Sequence, residues 1–421
     1  MSDRVLQSGI GLFYGWVIVA AAFTVMLLGF GSAYTFSVFA EPLQRDFGAS
    51  SAAISFIFSL AGFFYFALGA LSGPLAERWG ARPLAVAGMI LTGLGLAVAG
   101  LARSLTGVYL AYGLGLGLGV GTSFVPAIAT VQRWFARRRA FASGLAVSGI
   151  GVGTLVMPPL ASFLIGTVGW RGAYIVLGVA TAILGGGAAL LLKDDPVRLG
   201  IGPDGDPLTS GQAQSPRITG IPLRDAVGSA QFFGLYASCL IGSLGAFVPF
   251  VHLVPYAQGH GIPATAAVFL ISEIGIGSTA GRFLLGNLAD KMGRQKTLVA
   301  MYLGMGLASC IWALSANEWS LTLFALIYGI FYGGWVAVLP SVVMDCFGGR
   351  NVSAIIGVLY TSVAVGTLIG PTAAGYAYDV SGAYMLPIVG SALSNIVAAV
   401  IVSTMRTRPA PPAHQIRARQ Q

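Results

Sequence analysis

Gly73-Pro-Leu-Ala-Glu77-Arg78-Trp-Gly80-Ala-Arg82 and Gly286-Asn-Leu-Ala-Asp290-Lys291-Met-Gly293-Arg294-Gln-Lys296 are two versions of one stretch, 213 residues apart, each between long apolar runs. Three further pairs recur in nearly the same register. Tyr112-Gly113 returns as Tyr328-Gly329 at 216, Gly153-Thr-Leu-x-x-Pro158 as Gly366-Thr-Leu-x-x-Pro371 at 213, and Gly172-Ala-Tyr174 as Gly382-Ala-Tyr384 at 210. Chance supplies one such pair. Four in register imply a duplicated unit, and parallel repeats of this kind place a substrate site at the midplane between two rocking halves.

The apolar runs say what is duplicated. Of 421 residues 56% are hydrophobic and 9% charged, against roughly 25% charged in soluble domains, and the mean hydropathy is +0.82. Runs of about 20 residues, enough to span a bilayer, fall at 12–39, 51–75, 83–102, 105–131, 140–166 and 171–192. They resume at 231–256, 263–288, 297–315, 319–344, 352–377 and 383–405. The first is too long for a signal-peptide core and no small-residue cleavage site follows, so it counts as a span. The expected fold is an all-α membrane protein of twelve transmembrane helices in two six-helix halves, 1–192 and 231–405. Between them lies a Gly-, Pro-, Ser- and Gln-rich linker at 193–230, and a tail follows at 406–421.

Charge sets the orientation. With the N-terminus inside, 19 of the 23 Lys and Arg residues fall in cytoplasmic segments, a strong positive-inside bias with both termini cytoplasmic. The net charge of +9 is thereby a topology signal, and its scatter over short loops argues against a nucleic-acid partner. Cys239, Cys310 and Cys346 and the three histidines show no ligand spacing, so neither a metal nor another cofactor is expected. No nucleophile–base pair or phosphate loop suggests an enzyme. The Gly-rich stretch 113–121 lies within an apolar run, where glycines serve close helix packing.

The doubled stretch resembles the loop signature of the major facilitator superfamily, Gly-x-Leu-Ala-Asp-Arg-x-Gly-x-Arg, with Glu77 for the usual Asp. Within that superfamily the chain resembles the monocarboxylate transporters and the neighbouring bacterial oxalate/formate-type transporters. The fifth-helix signature of the former, Tyr-Phe-x-Lys-Arg-Arg-x-Leu-Ala-x-Gly-x-Ala-x-Ser-Gly, is matched by Trp134-Phe-Ala-Arg137-Arg138-Arg139-Ala-Phe141-Ala142-Ser-Gly144-Leu-Ala146-Val-Ser148-Gly149. Tyr14-Gly15-Trp16, Gly169-Trp-Arg-Gly-Ala-Tyr174 and His252-Leu-Val-Pro-Tyr256 also look like the family. The resemblance implies a bacterial cytoplasmic-membrane transporter. Its cytoplasmic gate would be charged: Glu77, Arg78, Arg82, Asp290, Lys291, Arg294, Arg137 and Arg138, acid and base pairing across the halves when the inside is closed.

Arg282 is the expected substrate residue. A guanidinium costs ~2.5–3.5 kcal/mol at the centre of a spanning helix, and the surrounding Gly-Ser-Thr-Ala sequence suits a packed interior or cavity. Its place near the cytoplasmic end also allows the side chain to snorkel to the surface. In the family the eighth helix carries an Asp four residues before an Arg that pairs with the substrate carboxylate. Here Arg282 matches the Arg and Ser278 stands at the Asp position. A first-helix Lys used by animal members falls at Tyr34. Tyr34, Tyr332 and Tyr360 lie on helices that line the cavity in this superfamily, and Leu28 and Leu145 are candidates for contact with the substrate's apolar tail. Glu273 is nine residues from Arg282, on the opposite helix face and ~13 Å along the axis. It reads either as a proton site or as a hydrogen-bonded structural acid between the seventh and eighth helices. His252 reads as an interfacial residue or as part of an outer gate and a route for protons.

Charge counting narrows the cargo. Oxalate-type carriers pair the eighth-helix Arg with an eleventh-helix Lys, and residues 352–376 contain no Lys or Arg. One buried cation fits one carboxylate, since a second would go unpaired at a cost of several kcal/mol. The expected activity is symport of a small monocarboxylate (lactate, pyruvate or acetate) with a proton, with no obligatory protein partner. An oxalate/formate-type anion antiporter, an efflux carrier and a transport-dead membrane sensor are the alternatives.

Overall fold

The computed structural model describes residues 13–197, 201–206, 220–348 and 351–405; the side chains of Glu77 and Asp290 lie outside the described set. Among the described residues, eleven segments are long and apolar enough to cross a membrane. One of them, Phe141–Leu190, has 50 residues, about 75 Å of helix at 1.5 Å per residue against a hydrocarbon core of ~30 Å. Gly169 interrupts it with a φ of 74° that turns the chain back, so the described residues cross twelve times.

We number the crossings in chain order. α1 runs Tyr14–Tyr34 and, past a break at Thr35, Phe36–Phe47. α2 is Ser51–Ala67 with Gly69–Trp79, α3 is Ala81–Leu101 and α4 is Leu105–Trp134. α5 and α6 are the two arms of Phe141–Leu190. α7 is broken like α1, into Ala230–Ala246 and Pro249–Gly259. α8 is Ala264–Met292, α9 Arg294–Leu314, α10 Glu318–Phe347, α11 Val352–Ser381 and α12 Met385–Thr404. The all-helical, twelve-crossing fold is the one expected. Several helices run further than their apolar cores, α1 through Glu41-Pro-Leu-Gln-Arg45 and α2 to Trp79. Helical hydrogen bonds continue where hydropathy stops marking the element.

The first duplicated stretch has a geometric reason. Gly80, between α2 and α3, and Gly293, between α8 and α9, have φ of 90° and 89°. Glycine populates that region without the steric cost an L side chain meets. Polar side chains start four of the helices: Ser50, Ser104, Ser229 and Asn317 each accept from the backbone N–H three residues on, meeting one of the donors a helix start leaves free.

Two helix pairs join the halves along much of their length, α2 with α11 and α5 with α8. At the end of the bundle away from the linker the halves are also tied by polar contacts. Both carboxylate oxygens of Asp379 in α11 accept from the first backbone N–H groups of α2, Ser51 and Ala52, at 2.9 Å each. Thr372 Oγ1 donates to Ser59 Oγ at 2.9 Å, and Phe36–Phe47 packs on Pro249–Gly259.

Candidate substrate site

Four glycines build the site. Gly277 and Gly281 in α8 face Gly329 and Gly333 in α10, and a Cβ at any of them would meet the backbone of the opposite helix. Paired small-xxx-small stretches let membrane helices approach this closely. The approach sets Arg282, next to Gly281, beside Tyr332, next to Gly333.

Arg282 is 7% exposed, so its side chain does not snorkel to a surface. Its Nη1 donates to the carbonyl of Val147 in α5 at 2.6 Å, across to the other half. Nε and Nη2 are buried and have no partner among the described residues. A buried cation with free donors is costly unless something accepts from it. The free Nε–Nη2 edge is one that a carboxylate can grip with both oxygens.

The hydroxyls of Tyr332, Tyr34 and Tyr360 lie within electrostatic range of the guanidinium. Tyr34 and Tyr332 share a buried hydrogen bond of 2.9 Å between α1 and α10, and the Tyr34 ring lies 4.6 Å from that of Phe250. Together they roof a cavity on their linker side. The cavity has a volume of about 30 Å³, more than a single water needs. Arg282 is the one charged group among its described lining residues.

Tyr34, Tyr332, Tyr360 and Arg282 thus come together. The sequence reading missed the apolar wall: Phe30, Phe66, Phe124, Ile150, Trp335 and Val363 also line the cavity. Helical spacing held the signal. Phe30 lies one turn from Tyr34, Trp335 one turn from Tyr332 and Val363 one turn from Tyr360, and residues three or four apart share a face.

Other candidates sit elsewhere. Leu28 packs toward Gly185 of α6 inside its own half, and neither it nor Leu145 lines the cavity. Ser278 is buried with its backbone against Gly333, because the glycine crossing turns that face to α10. Glu273 accepts from Thr322 Oγ1 at 3.0 Å, which puts it between α8 and α10, not between the seventh and eighth helices. Its other oxygen is buried without a partner among the described residues. His252 is buried in the far-end seam, its Nε2 2.9 Å from the Pro371 carbonyl and 3.2 Å from Ser55 Oγ.

Among the described residues, the ion pairs of the gate candidates stay within one half or run to the linker. Arg137 pairs with Asp206 at 2.8 Å and with Asp204 at 3.8 Å, both in the linker. Arg294 pairs with Asp345 inside the second half at 2.7 Å. The backbone of Ala81 and Arg82 donates to Asp194, which follows α6, and Arg78 lines a crevice with Arg133, Asp194 and Asp195. Arg138 and Lys291 are exposed and make no ion pair among the described residues. Glu77 and Asp290, the acids of the doubled stretch, fall outside the described side chains.

Known proteins agree with this architecture. The sequence pattern of the Major Facilitator Superfamily matches residues 21–314 and 269–421. Monocarboxylate transporter 11 of Mus musculus is 32% identical over 380 residues, 88% of this chain and 82% of its own length. Monocarboxylate transporter 12-B of Danio rerio is 30% identical over 403 residues, with the same coverage. Monocarboxylate transporter 3 of Rattus norvegicus is 30% identical, covering 87% of this chain and 74% of its own length. In fold, the crystal structure of a bacterial homolog to human lysosomal transporter Spinster, in an inward-facing and occupied conformation, has a TM-score of 0.69 at 16% identity. That likeness covers 95% of this chain and 99% of that one. The chain belongs to the major facilitator superfamily and is a relative of its monocarboxylate transporters.

Proposed function

We propose that the protein carries a small monocarboxylate, such as lactate or pyruvate, together with a proton across the bacterial cytoplasmic membrane by alternating access. The observation that carries this reading is the state of Arg282: buried, fixed at Nη1 by a backbone carbonyl, without a partner along its Nε–Nη2 edge among the described residues, and the one charge among the described lining of the cavity. One carboxylate satisfies that edge and neutralises the charge. The aromatic and aliphatic wall takes the short tail, and Tyr360 is within reach to add a hydroxyl. Two six-helix halves, 1–192 and 231–405, rock about the site. The positive-inside bias assigns the linker end, and both chain termini, to the cytoplasm, so the end tied by Asp379 and Thr372 is the outer one.

A proton belongs in the cycle for electrical reasons. Moving one anion inward against a negative interior costs about 2.3 kcal/mol per 100 mV, and a co-moving proton removes that cost. Glu273, held by Thr322 between α8 and α10, is not among the described residues lining the cavity and so does not compete for Arg282. Uptake of labelled lactate into proteoliposomes checks the coupling. An acid-outside gradient is expected to accelerate uptake several-fold and a protonophore to abolish the gain. Uptake indifferent to the gradient but stimulated by internal counter-anion would make the protein an exchanger and sink the symport reading.

A further inference from the structure

Each half begins with a broken helix, and a tyrosine from the fourth helix of the same half holds each break. In α1 the chain breaks at Thr35, and Tyr112 Oη of α4 donates to the Ala33 carbonyl at 3.1 Å and lies 3.4 Å from that of Ser32. In α7 the break precedes Pro249. A proline has no N–H to return to the carbonyl four residues back, here that of Gly245. Ser391 Oγ of α12 donates to this carbonyl at 2.9 Å, and Tyr328 Oη of α10 donates to the next one, Ala246, at 2.8 Å. Both tyrosines are fully buried.

These are the tyrosines of the repeated Tyr-Gly pair, and their acceptors Ala33 and Ala246 are themselves 213 residues apart. The surroundings differ: Tyr112 lies in a π-helical stretch, Tyr109–Leu116, while Tyr328 lies in regular α-helix. One bond at one place in both copies, kept through different local geometry, points to the bend it holds. Beyond the breaks lie Phe36–Phe47 and Pro249–Gly259, which pack together to shut the far end. Just before the first break lies Tyr34, the roof of the cavity.

We propose that Tyr112 and Tyr328 are positioning residues for transport: their hydroxyls set the bends in α1 and α7 that bring the two far-end segments together over the cavity. Removing either hydroxyl leaves a buried carbonyl short of a donor, which penalises the bent form, and the far end opens more often.

The test uses the full chain in proteoliposomes with its three cysteines replaced by alanine and Ser59→Cys as reporter. Ser59 is buried where α2 meets Thr372 of α11. A membrane-impermeant maleimide is added on the side away from the linker. We expect Tyr112→Phe and Tyr328→Phe each to raise the labelling rate about tenfold, a loss typical of one buried hydrogen bond. The double variant is expected near a hundredfold, because well-separated sites add. Ser391→Ala, a smaller change at the second break, should move the rate in the same direction and keeps the test open if the phenylalanine variants do not fold. Labelling at the parent rate in the folded variants, whatever their melting temperatures, would overturn the proposal and leave the hydroxyls a packing role. No substrate is involved, so this outcome is separate from the fate of the transport reading.

Discussion

Arg282→Gln is expected to reduce lactate uptake and binding by two orders of magnitude or more while leaving the protein at least as stable. Deleting one member of a buried charge pair costs about 3–5 kcal/mol, and at 1.36 kcal/mol per tenfold that is roughly a 160- to 4,700-fold loss. Stability should move the other way. The guanidinium has two buried donors without partners among the described residues, so the neutral amide relieves an unfavourable burial. Arg282→Lys is expected to fail nearly as badly. An ammonium is a point charge that cannot hold the Val147 carbonyl and present a flat two-donor edge at once. Uptake and melting temperature measured on the same preparations check both halves of this expectation. Full uptake by a correctly inserted Arg282→Gln protein would remove Arg282 from the site.

Gly281→Ala should cripple the same function by a different route. A Cβ there would lie 2.7–2.9 Å from the carbonyl carbon and Cα of Ile330, backbone atoms that move only if α8 and α10 separate. Overpacking of this kind typically costs about 1–3 kcal/mol, and the separation would also part Arg282 from Tyr332. Gly333→Ala, which would meet the Ser278 Cα at 2.6 Å, is expected to behave alike. Gly144→Ala is the control, since the one neighbour within 4 Å is the rim of Phe283 at 4.0 Å. A lowered melting temperature with loss of lactate binding in the first two, and neither in the third, is the expected pattern in a thermal-shift titration. Wild-type stability and binding in all three would refute the glycine crossing as the scaffold of the site.

The difference between what could and could not be read in the sequence follows from the range of each signal. Twelve crossings were legible because bilayer thickness imposes a length on every apolar run, and the repeat because Gly80 and Gly293 meet one backbone demand twice. Arg282 stood out because a guanidinium in an apolar helix is costly. What escaped depends on how helices turn toward one another. Ser278 and Leu28 are on plausible helices, yet the α8–α10 crossing and the α6 contact turn them from the cavity. Asp379 was invisible as a tie between the halves, because its acceptor geometry depends on the start of α2, more than 300 residues earlier. The roles of Tyr112 and Tyr328 were hidden in a repeat that marked them as duplicated without saying what they hold.

The central claim is that one buried cation selects one carboxylate. Competition in proteoliposomes measures it most directly: labelled lactate or labelled oxalate outside, with unlabelled acids in tenfold excess. The account predicts that lactate enters, that pyruvate and other short monocarboxylates suppress its uptake, and that oxalate neither enters nor competes. Uptake of oxalate at a rate equal to or above that of lactate would contradict it.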